Sequence, residues 1–247
     1  MRILTQFEPL DPAVGVAMDE VLLDAARNNG RTTLRLWVNR RAVVIGRSQC
    51  LIDEVDERQA AALEYVVVRR LSGGGAVLHD PGNLNLTVVG PKRKGLRTVR
   101  EVFSVFGNAL AEGLQAFGLV VRVAENSLFV DGRKLSGAAQ IHRGETMLYH
   151  ATLLRSLPEH PMERLLLALR SSYRSQAVAS TPRPVTSIER CTGLALSAEA
   201  LIAPVTHAFA RVLDAQPQSK QGTAAEIARA EELAAVRYRR ESWTRCL

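Results

Sequence analysis

The sequence RRLSGGGAVLHDPGNLN, residues 69–85, places three glycines directly after a short basic and polar run. Glycine leaves the backbone bare and permits positive φ, so successive N–H groups in such a loop can cradle an anion. Arg70 would add a charged fork suited to phosphate or carboxylate, and Ser72 would add a hydroxyl donor. A tight turn between two strands explains the glycines nearly as well when they are considered alone.

The polar residues that follow the glycines make an anionic ligand the better explanation. Asn83 and Asn85 lie two positions apart, so on a strand they share a face and could donate to phosphate or ribose. His79 by itself is more typical of a structural histidine than of a catalytic base. The sequence contains neither a GxxxxGK[ST] phosphate loop nor a GxGxxG dinucleotide fingerprint.

A second candidate is Lys134, in the segment DGRKLSGAAQ at residues 131–140. Its first two residues are a strong signal for a two-residue hairpin turn. The small residues that follow leave room beside the lysine, which could bring a point charge to a developing negative charge. An exposed hairpin lysine is the competing interpretation, and the choice is close to even.

Two further segments carry polar groups at or within predicted strands. VVIGRSQ, residues 43–49, ends a strand with glycine and polar side chains, a pattern typical of a ligand-facing edge or of a plain turn. His150 lies between apolar residues in LYHATLL, residues 148–154. A satisfied core histidine is favoured there unless the strand faces the glycine loop.

Composition favours one large α/β unit of 247 residues with 47% hydrophobic content. The sequence has no apolar run of membrane-spanning length and no signal-peptide pattern, so we expect a cytoplasmic protein without a membrane partner.

The net charge is +7, but the basic residues are dispersed and lack interleaved aromatics. This pattern argues against nucleic acid and favours steering toward an acidic protein or an anionic ligand. Three cysteines without a CxxC pair predict reduced, unpaired thiols.

Periodicity predicts helices and strands along the whole chain. Helices are expected over residues 11–30, 53–64, 98–118 and 223–243, and strands around each of the polar segments described above. We find no linker, repeat or low-complexity tail. The chain is therefore predicted to form a single domain over residues 1–247.

Taken together, four segments resemble the lipoate–protein ligase A family, which is related to biotin protein ligases. They are GRSQ (46–49), RRLSGGGAVLHDPGNLN (69–85), GRKLSGAAQ (132–140) and HATLL (150–154), with a weaker match at VTSIE (185–189). The resemblance implies an α+β fold with a mixed β-sheet flanked by helices. This is the catalytic-domain fold of biotin and lipoate ligases, similar to that of class II aminoacyl-tRNA synthetases.

The resemblance also implies roles for individual residues. Lys134 would stabilise the charge that builds as an amine attacks the acyl adenylate. The residues implied to bind the adenylate and acyl groups are Arg70, Ser72, Gly73, Gly74, Gly75, Ala76, His79, Asn83, Asn126, Gly137 and His150. Of these, Gly137 and His150 would shape an apolar tunnel for the lipoyl chain.

Family membership would make the protein an enzyme that joins lipoate and ATP into lipoyl-AMP, with Mg²⁺ near the phosphates. The lipoyl group would then pass to one lysine of an acceptor domain. Such acceptors belong to the E2 component of 2-oxoacid dehydrogenases or are the H protein of glycine cleavage, and they are typically acidic, which suits a basic enzyme.

The sequence departs from the family pattern in two respects. Many bacterial members carry a further C-terminal domain, which is not expected here, so a separate accessory subunit is an implied partner for activation. Ligases commonly have Asn-Asp before the hairpin strand, whereas this chain has Asn126-Ser127. The missing carboxylate would weaken magnesium binding, and Glu125 and Asp131 are the nearest acids in sequence.

Three alternatives remain open. An octanoyl or lipoyl transferase of the same fold would carry the acyl group on a cysteine, yet no cysteine lies between Cys50 and Cys191. A non-catalytic lipoate- or acyl-AMP-binding protein would have little use for Lys134. A biotin ligase is less favoured, because the glycine and lysine segments resemble the lipoate branch.

Overall fold

The computed structural model describes residues 1–247 and contains eleven strands. The strands are β1 (Arg2–Leu10), β2 (Thr33–Asn39), β3 (Ala42–Ile45), β4 (Val66–Arg69), β5 (Val77–His79), β6 (Asn83–Pro91), β7 (Arg122–Ala124), β8 (Ser127–Val130), β9 (Arg133–Arg143), β10 (Thr146–Leu154) and β11 (Gln218–Ser219). Eight of them form a mixed sheet in the order β11-β1-β2-β6-β10-β9-β8-β7. The other three form a small sheet in the order β4-β3-β5.

Helices cover this sheet and connect its strands. They are α1 (Pro12–Asn29), α2 (Leu51–Glu54), α3 (Glu57–Ala62), α4 (Val99–Gln115), α5 (Met162–Leu165), α6 (Ile188–Thr192), α7 (Ile202–Val212), α8 (Ala224–Leu233) and α9 (Glu241–Thr244). Short 3₁₀ turns occupy Leu167–Leu169 and Glu199–Leu201, and a π-helical turn occupies Ala234–Tyr238. None of the helices combines the length and apolarity that crossing a membrane would require.

The two faces of the large sheet differ sharply in chemistry. In a strand, alternate side chains point to opposite faces, and antiparallel partners in register point to the same face. Leu36, Leu86 and Ala151 are aligned across three strands and belong to the main apolar core beneath α4 and α7. On the other face, Arg35 and His150 both lie opposite Thr87. The polar groups of the sheet are therefore gathered on the face that α1 and the small sheet cover.

Helix α1 begins and ends where its sequence signals place it. The Asp11 side chain accepts hydrogen bonds from the N–H groups of Ala13 and Val14, and Gly30 ends the helix with φ of 66°. The helix packs closely on the sheet because Gly15 has no side chain. A Cβ placed there would lie 2.5 Å from the Trp37 ring.

The C-terminal segment is anchored by a buried arginine. Arg69, at the end of β4, donates to the carbonyl oxygens of Gly46, Gln49 and Thr244, among others, and is fully buried. The Trp243 indole returns a hydrogen bond to the Arg69 carbonyl. The base of the glycine loop and the last helix are thus joined through one side chain.

Several predicted elements differ in detail from the structure. The predicted helix at 53–64 is divided into α2 and α3 at Val55, whose extended backbone bridges to Leu166. The long C-terminal helix is likewise broken. A π-helical turn follows α8, and within it Tyr238 and Arg237 both donate to the buried Glu20. Long-range contacts have overridden helical propensity at both places.

The hairpin prediction is confirmed. Asp131 and Gly132 connect β8 to β9, with φ values of 48° and 74°. Two successive residues with positive φ are characteristic of the type I′ turn, which matches the twist of the flanking strands. This turn is followed directly by β9, in which Lys134 is the second residue.

Candidate active site

The glycine loop crosses directly over Gly46, the residue that follows β3. A Cβ at Gly46 would lie 2.0 Å from the carbonyl oxygen of Gly74. Any side chain there would collide with backbone atoms of the loop, so the loop would have to shift to admit it. Gly74 itself has φ of 86°, a conformation that side chains disfavour. The path of the loop therefore depends on a glycine in the segment GRSQ as well as on the glycines within the loop.

Arg70 is buried beneath the loop and organises its backbone. Its guanidinium donates to the carbonyl oxygens of Gly73 at 2.6 Å and Gly75 at 2.9 Å, and to Val44 at 3.0 Å. Its Nε donates to the Ser72 hydroxyl oxygen at 3.1 Å. Burial lowers the Arg70 pKa to about 10, which leaves the group charged at neutral pH. Most of its donors are engaged by the protein, so a direct contact between Arg70 and a ligand stays a prediction.

The consequence of these bonds is a set of exposed backbone donors. In a trans peptide, the C=O and the next N–H point in opposite directions. Because Arg70 draws the Gly73 carbonyl inward, the N–H of Gly74 is turned outward. The N–H groups of Gly73, Gly74 and Gly75 donate to no other group of the chain, whereas Ala76 donates to Ser180. Three consecutive unpaired donors are what an anion cradle requires, and the binding of an anion by this loop stays a prediction.

Lys134 lies on the strand that faces this cradle. A Cβ added to Gly137 would meet the Lys134 Nζ at 2.8 Å, so the ammonium lies directly over that glycine. Gly137 and Ala139 share one face of β9, and Ala139 is 3.9 Å from the position of a Cβ on Gly74. The lysine and the glycine loop therefore converge on the same side of the molecule.

The charge of Lys134 has no acidic partner. Burial lowers its pKa, and the positive charges of Arg183 and Arg70 lower it further. The backbone of Lys134 is held by Pro184 and Thr186 through hydrogen bonds of 2.7 and 2.9 Å. Such a lysine is costly to maintain, because it carries a half-buried charge without a counter-ion. An unpaired cation beside unpaired N–H donors is suited to an anion supplied from outside.

The lowered pKa of Lys134 can be measured directly. The chain has four lysines, at positions 92, 94, 134 and 220, so ¹³C-labelling of lysine ε-carbons would give a simple NMR spectrum. We expect one signal to titrate at lower pH than the other three and to disappear in Lys134→Arg. Because the folded pKa is depressed, the ammonium loses its charge at lower pH than an ordinary lysine. Four coincident titrations would contradict the described environment.

His150 reaches the loop from the neighbouring strand, and a carboxylate lies behind it. Its Nε2 is 2.6 Å from the Ser72 Oγ, and its Nδ1 is 3.1 Å from Asp19 Oδ2. Asp19 also accepts from Arg35 and Thr87, at 2.8 and 2.9 Å. Burial alone would raise the Asp19 pKa, but the His150 hydrogen bond and the Arg35 charge hold it below its usual value. Asp19 is therefore an ionised acceptor at neutral pH.

The other predicted residues have structural partners within the fold. His79 is buried, contacts the Trp37 ring edge-on and shares a 3.0 Å hydrogen bond with Asn39. Burial lowers its pKa to about 3, so it is neutral. Asn126 braces two strands by donating to the Ala138 carbonyl at 2.9 Å. The roles of His79 and Asn126 toward a ligand stay predictions.

Asn83 retains unused hydrogen-bonding capacity. It donates to Asn85 at 2.8 Å, which confirms that the two amides share a face. The Asn83 Oδ1 and the Asn85 Nδ2 are buried without a partner. Buried amide atoms are normally paired, so this pair can accept and donate further hydrogen bonds. It remains a candidate for contacts with a ligand.

The sequence analysis missed Asp19 and Ser180. Asp19 lies within the apolar run of α1, and two adjacent acids in that run, Asp19 and Glu20, were an available signal. Ser180 had no signal, because it lies in a polar loop. Its hydroxyl accepts from Ala76 and Gln49 and donates to the buried Glu54 at 2.6 Å. Ser180 thereby joins the segment before VTSIE to the glycine loop.

No cluster of protein ligands for a metal ion is present. The chain contains no group of three or more His, Cys, Asp and Glu side chains placed to hold one. Glu125 and Asp131, the nearest acids in sequence, are both turn residues with positive φ. Mg²⁺ usually keeps several of its waters and binds through one or two carboxylates together with substrate phosphates, so it needs no such cluster.

Comparison with known proteins identifies the family of this arrangement. The family model of the lipoyl protein ligase A/B catalytic domain matches residues 11–210. The chain belongs to that family. A protein of Aeropyrum pernix named for lipoate–protein ligase A is 34% identical over 183 residues, which are 74% of this chain and 68% of that protein. The family predicted from the glycine and lysine segments is thus confirmed.

Members of the family differ in length. Lipoate–protein ligase A subunit 1 of Thermoplasma acidophilum is 25% identical, with 98% of this chain and 95% of that protein aligned. By contrast, the chain spans 57% of lipoate–protein ligase 1 of Staphylococcus aureus. The structure of a bipartite lipoate–protein ligase of T. acidophilum has a TM-score of 0.86 and 24% identity, covering all of this chain and 96% of that one. This likeness confirms the predicted α+β lipoate-ligase fold.

Proposed function

We propose that this chain is the catalytic chain of a lipoate–protein ligase, which forms lipoyl-AMP from lipoate and ATP and transfers the lipoyl group to a lysine of an acceptor domain. The observation that carries the proposal is that three unpaired N–H groups and an unpaired ammonium lie on the same side of the molecule. A mixed anhydride of a carboxylic acid and a phosphate needs both. Relatives named lipoate–protein ligases support it, as does a similar fold solved with ATP bound.

The residues divide the chemistry into binding and charge stabilisation. The N–H groups of Gly73, Gly74 and Gly75 would accept the phosphate, and Lys134 would lie against the carbonyl and phosphate oxygens. As the acceptor amine attacks, negative charge grows on these oxygens, and the fixed ammonium stabilises it. AMP leaves with the electron pair of the broken C–O bond, and the attacking amine releases a proton to solvent as the amide forms. The nucleophile comes from the partner, so the enzyme needs none of its own.

Activation requires ATP and, in this proposal, Mg²⁺, whose role is to neutralise phosphate charge. The chain itself offers no ligand cluster for the ion. The proposed acceptors are lipoyl domains of the E2 or H-protein class. A separate accessory chain is also proposed, because a full-length relative is called subunit 1 of its enzyme. A single domain in the cytoplasm stays a prediction.

The decisive experiment measures the mass of a purified lipoyl-acceptor domain after incubation with this protein. One reaction contains lipoate, ATP and Mg²⁺, and a second contains preformed lipoyl-AMP. A gain of one lipoyl group in both reactions supports a complete ligase. A gain only with lipoyl-AMP supports transfer with activation supplied by another chain. Acceptor that stays unmodified in both reactions would contradict the proposal.

A thiol relay is the second candidate, and two observations favour testing it. An octanoyltransferase of Carboxydothermus hydrogenoformans is 33% identical over 177 residues, covering 62% of this chain and 65% of that protein. Cys191 lies 3.2 Å from the Thr186 hydroxyl, and the Thr186 backbone donates to Lys134. If acyl groups pass through a thioester, Cys191→Ser abolishes transfer. If the amine attacks the adenylate directly, Cys191→Ser and Cys50→Ser both retain it.

Gly137→Ala is expected to lower the transfer rate about a hundredfold, the cost of misplacing a catalytic group by roughly 1 Å. The new methyl group would lie 2.8 Å from both Cε and Nζ of Lys134, so the ammonium must move. The fold should persist because the end of a lysine is flexible. Single-turnover transfer from lipoyl-AMP and the thermal midpoint would be compared with those of Gly222→Ala, where a methyl group meets only the Ile227 side chain at 3.6 Å.

A further inference from the structure

We propose that Asp19 is a positioning residue of this site: it holds the neutral His150 ring in the Nδ1–H tautomer and so directs the hydroxyl proton of Ser72 onto His150 Nε2. The first half of this inference is independent of the proposed function. The second half, its effect on acyl transfer, rests on that function.

The direction of each hydrogen bond follows from what its atoms can donate. An ionised carboxylate only accepts, so His150 Nδ1, 3.1 Å from Asp19 Oδ2, must carry a proton. Ser72 is buried, and its other partner, Arg70 Nε, is itself a donor, so His150 Nε2 is the acceptor left for the Ser72 proton. Ser72 Oγ is 2.6 Å away and must donate to it. The sequence suggested that the Ser72 hydroxyl donates to a bound anion. Ser72 has a single proton, and His150 Nε2 accepts it, so the hydroxyl is not available for that role.

Asp19 is built into this position from several sides. Its side chain is 6% exposed and is paired with Arg35, which is fully buried. Thr87 donates to it as well, and Trp37 donates to Thr87 at 3.1 Å. Every neighbour of the carboxylate is thus a donor directed at it. Three hydrogen bonds into one buried carboxylate leave it no alternative partner.

The chain of bonds ends at the anion cradle. Arg70 Nε donates to Ser72, and the same guanidinium holds the carbonyls of Gly73 and Gly75. The loop is therefore tied to the sheet through Ser72 and His150, and to α1 through Asp19. If the direction of one hydrogen bond in this series were reversed, the loop would present different groups to a ligand.

Asp19→Asn is the change that would reverse it. The amide has nearly the same shape but includes an NH₂ group, which must find an acceptor among donors. His150 Nδ1 can provide one by losing its proton, and the ring then becomes the Nε2–H tautomer. In that form the ring donates to the Ser72 oxygen, and the Ser72 proton must turn away from His150. The same logic explains how an amide in place of a triad aspartate selects the wrong histidine tautomer.

The tautomer is measured by ¹⁵N NMR of histidine-labelled protein, in which only five rings contribute. His150→Gln assigns the His150 signals. We expect a protonated Nδ1 and an unprotonated Nε2 in the wild type, and the reverse in Asp19→Asn. The matched control is Asp24→Asn, one turn further along the same helix and half-exposed, which should leave both signals unchanged. An Nε2–H ring or an imidazolium in the wild type overturns the inference, even if Asp19→Asn does not fold.

The functional half is tested by transfer from preformed lipoyl-AMP to an acceptor domain. We expect Asp19→Asn to lower kcat about tenfold or more, as loss of an orienting partner commonly does. The KM for the acceptor and the circular dichroism spectrum should be unchanged, and Asp24→Asn should retain the wild-type rate. Because the effect passes through Ser72, adding Asp19→Asn to the Ser72→Ala variant should lower kcat little further.

The outcomes separate the two proposals. If the wild type transfers no lipoyl group while its His150 has the expected tautomer, the proposed function fails and the placement of the proton stands. If the wild type is active and Asp19→Asn switches the tautomer without loss of kcat, the positioning role is wrong. Equal losses from Asp19→Asn with and without Ser72 would also overturn the route through that hydroxyl.

Discussion

Lys134→Ala is expected to lower lipoyl transfer from preformed lipoyl-AMP by a factor of about 10²–10³, the usual cost of removing one preorganised stabiliser of transition-state charge. The ammonium lies over Gly137, on the side of the molecule that carries the three unpaired N–H groups, with no carboxylate to share its charge. Its interaction with the oxygens of the anhydride grows as the amine attacks. The loss should therefore fall on kcat more than on binding.

The same substitution separates an enzyme from a binding protein. We expect Lys134→Ala to remain folded, because the lysine makes no ion pair and its removal relieves a half-buried charge near Arg70 and Arg183. Binding of lipoyl-AMP would be followed by calorimetry and transfer by the mass of the acceptor. Lys220→Ala, which removes an exposed lysine on the far edge of the sheet, is the control. A Lys134→Ala protein with unaltered transfer would show that the ammonium has no catalytic role.

Gly46→Ala is expected to destroy the anion cradle although the residue lies outside the glycine loop. The new Cβ would sit 2.0 Å from the Gly74 carbonyl oxygen and 3.2 Å from the Gly73 carbonyl carbon. These are backbone atoms, and Arg70 holds the carbonyls of Gly73 and Gly75 in place. The loop must shift as a unit. We expect the affinity for lipoyl-AMP to fall about tenfold or more. We also expect the free energy of unfolding to fall by about 1–3 kcal/mol.

Calorimetry and urea unfolding would check the Gly46→Ala prediction, with Gly222→Ala as the control for a glycine-to-alanine change in open surroundings. Both variants reduce the entropy of the unfolded chain equally, so the difference between them isolates the collision. Normal binding of lipoyl-AMP by Gly46→Ala would mean that the loop backbone does not hold the anion. Weak binding without a change in stability would mean that the loop shifts at little cost to the fold.

Much of the fold could be predicted from local sequence. The cap at Asp11, the terminator Gly30 and the turn at Asp131-Gly132 all lie where their side-chain chemistry requires. Helix α4 lies within the predicted range 98–118, and its start has the capping box formed by Thr98 and Glu101. These features depend on residues a few positions apart. The small second sheet, by contrast, had no sequence signal, because pairing of β3 with β4 and β5 is a choice among many similar apolar strands.

The candidate site was predicted in its parts but not in its connections. The glycine loop, Lys134 and His150 were each identified from short segments, and their family resemblance predicted that they meet. The structure shows in addition why they meet: His150 and Ala139 are paired across β10 and β9, and Gly74 lies above them. The structure also shows that the Arg70 guanidinium, which was predicted to contact a ligand, holds the backbone of the loop.

By itself, the sequence determined the chemistry available to this protein: a bare backbone, a lysine on a tight hairpin, and the helices and turns that local signals specify. Tertiary structure alone decided how those groups are used. Asp19 meets a histidine 131 residues away, and Arg69 meets Thr244 across 175 residues. Propensity acts over a few residues, whereas a buried charge is satisfied by whichever partners the packing of the whole chain brings to it. That is the reason the contacts of Asp19, Gly46 and Ser180 became visible only in the folded molecule.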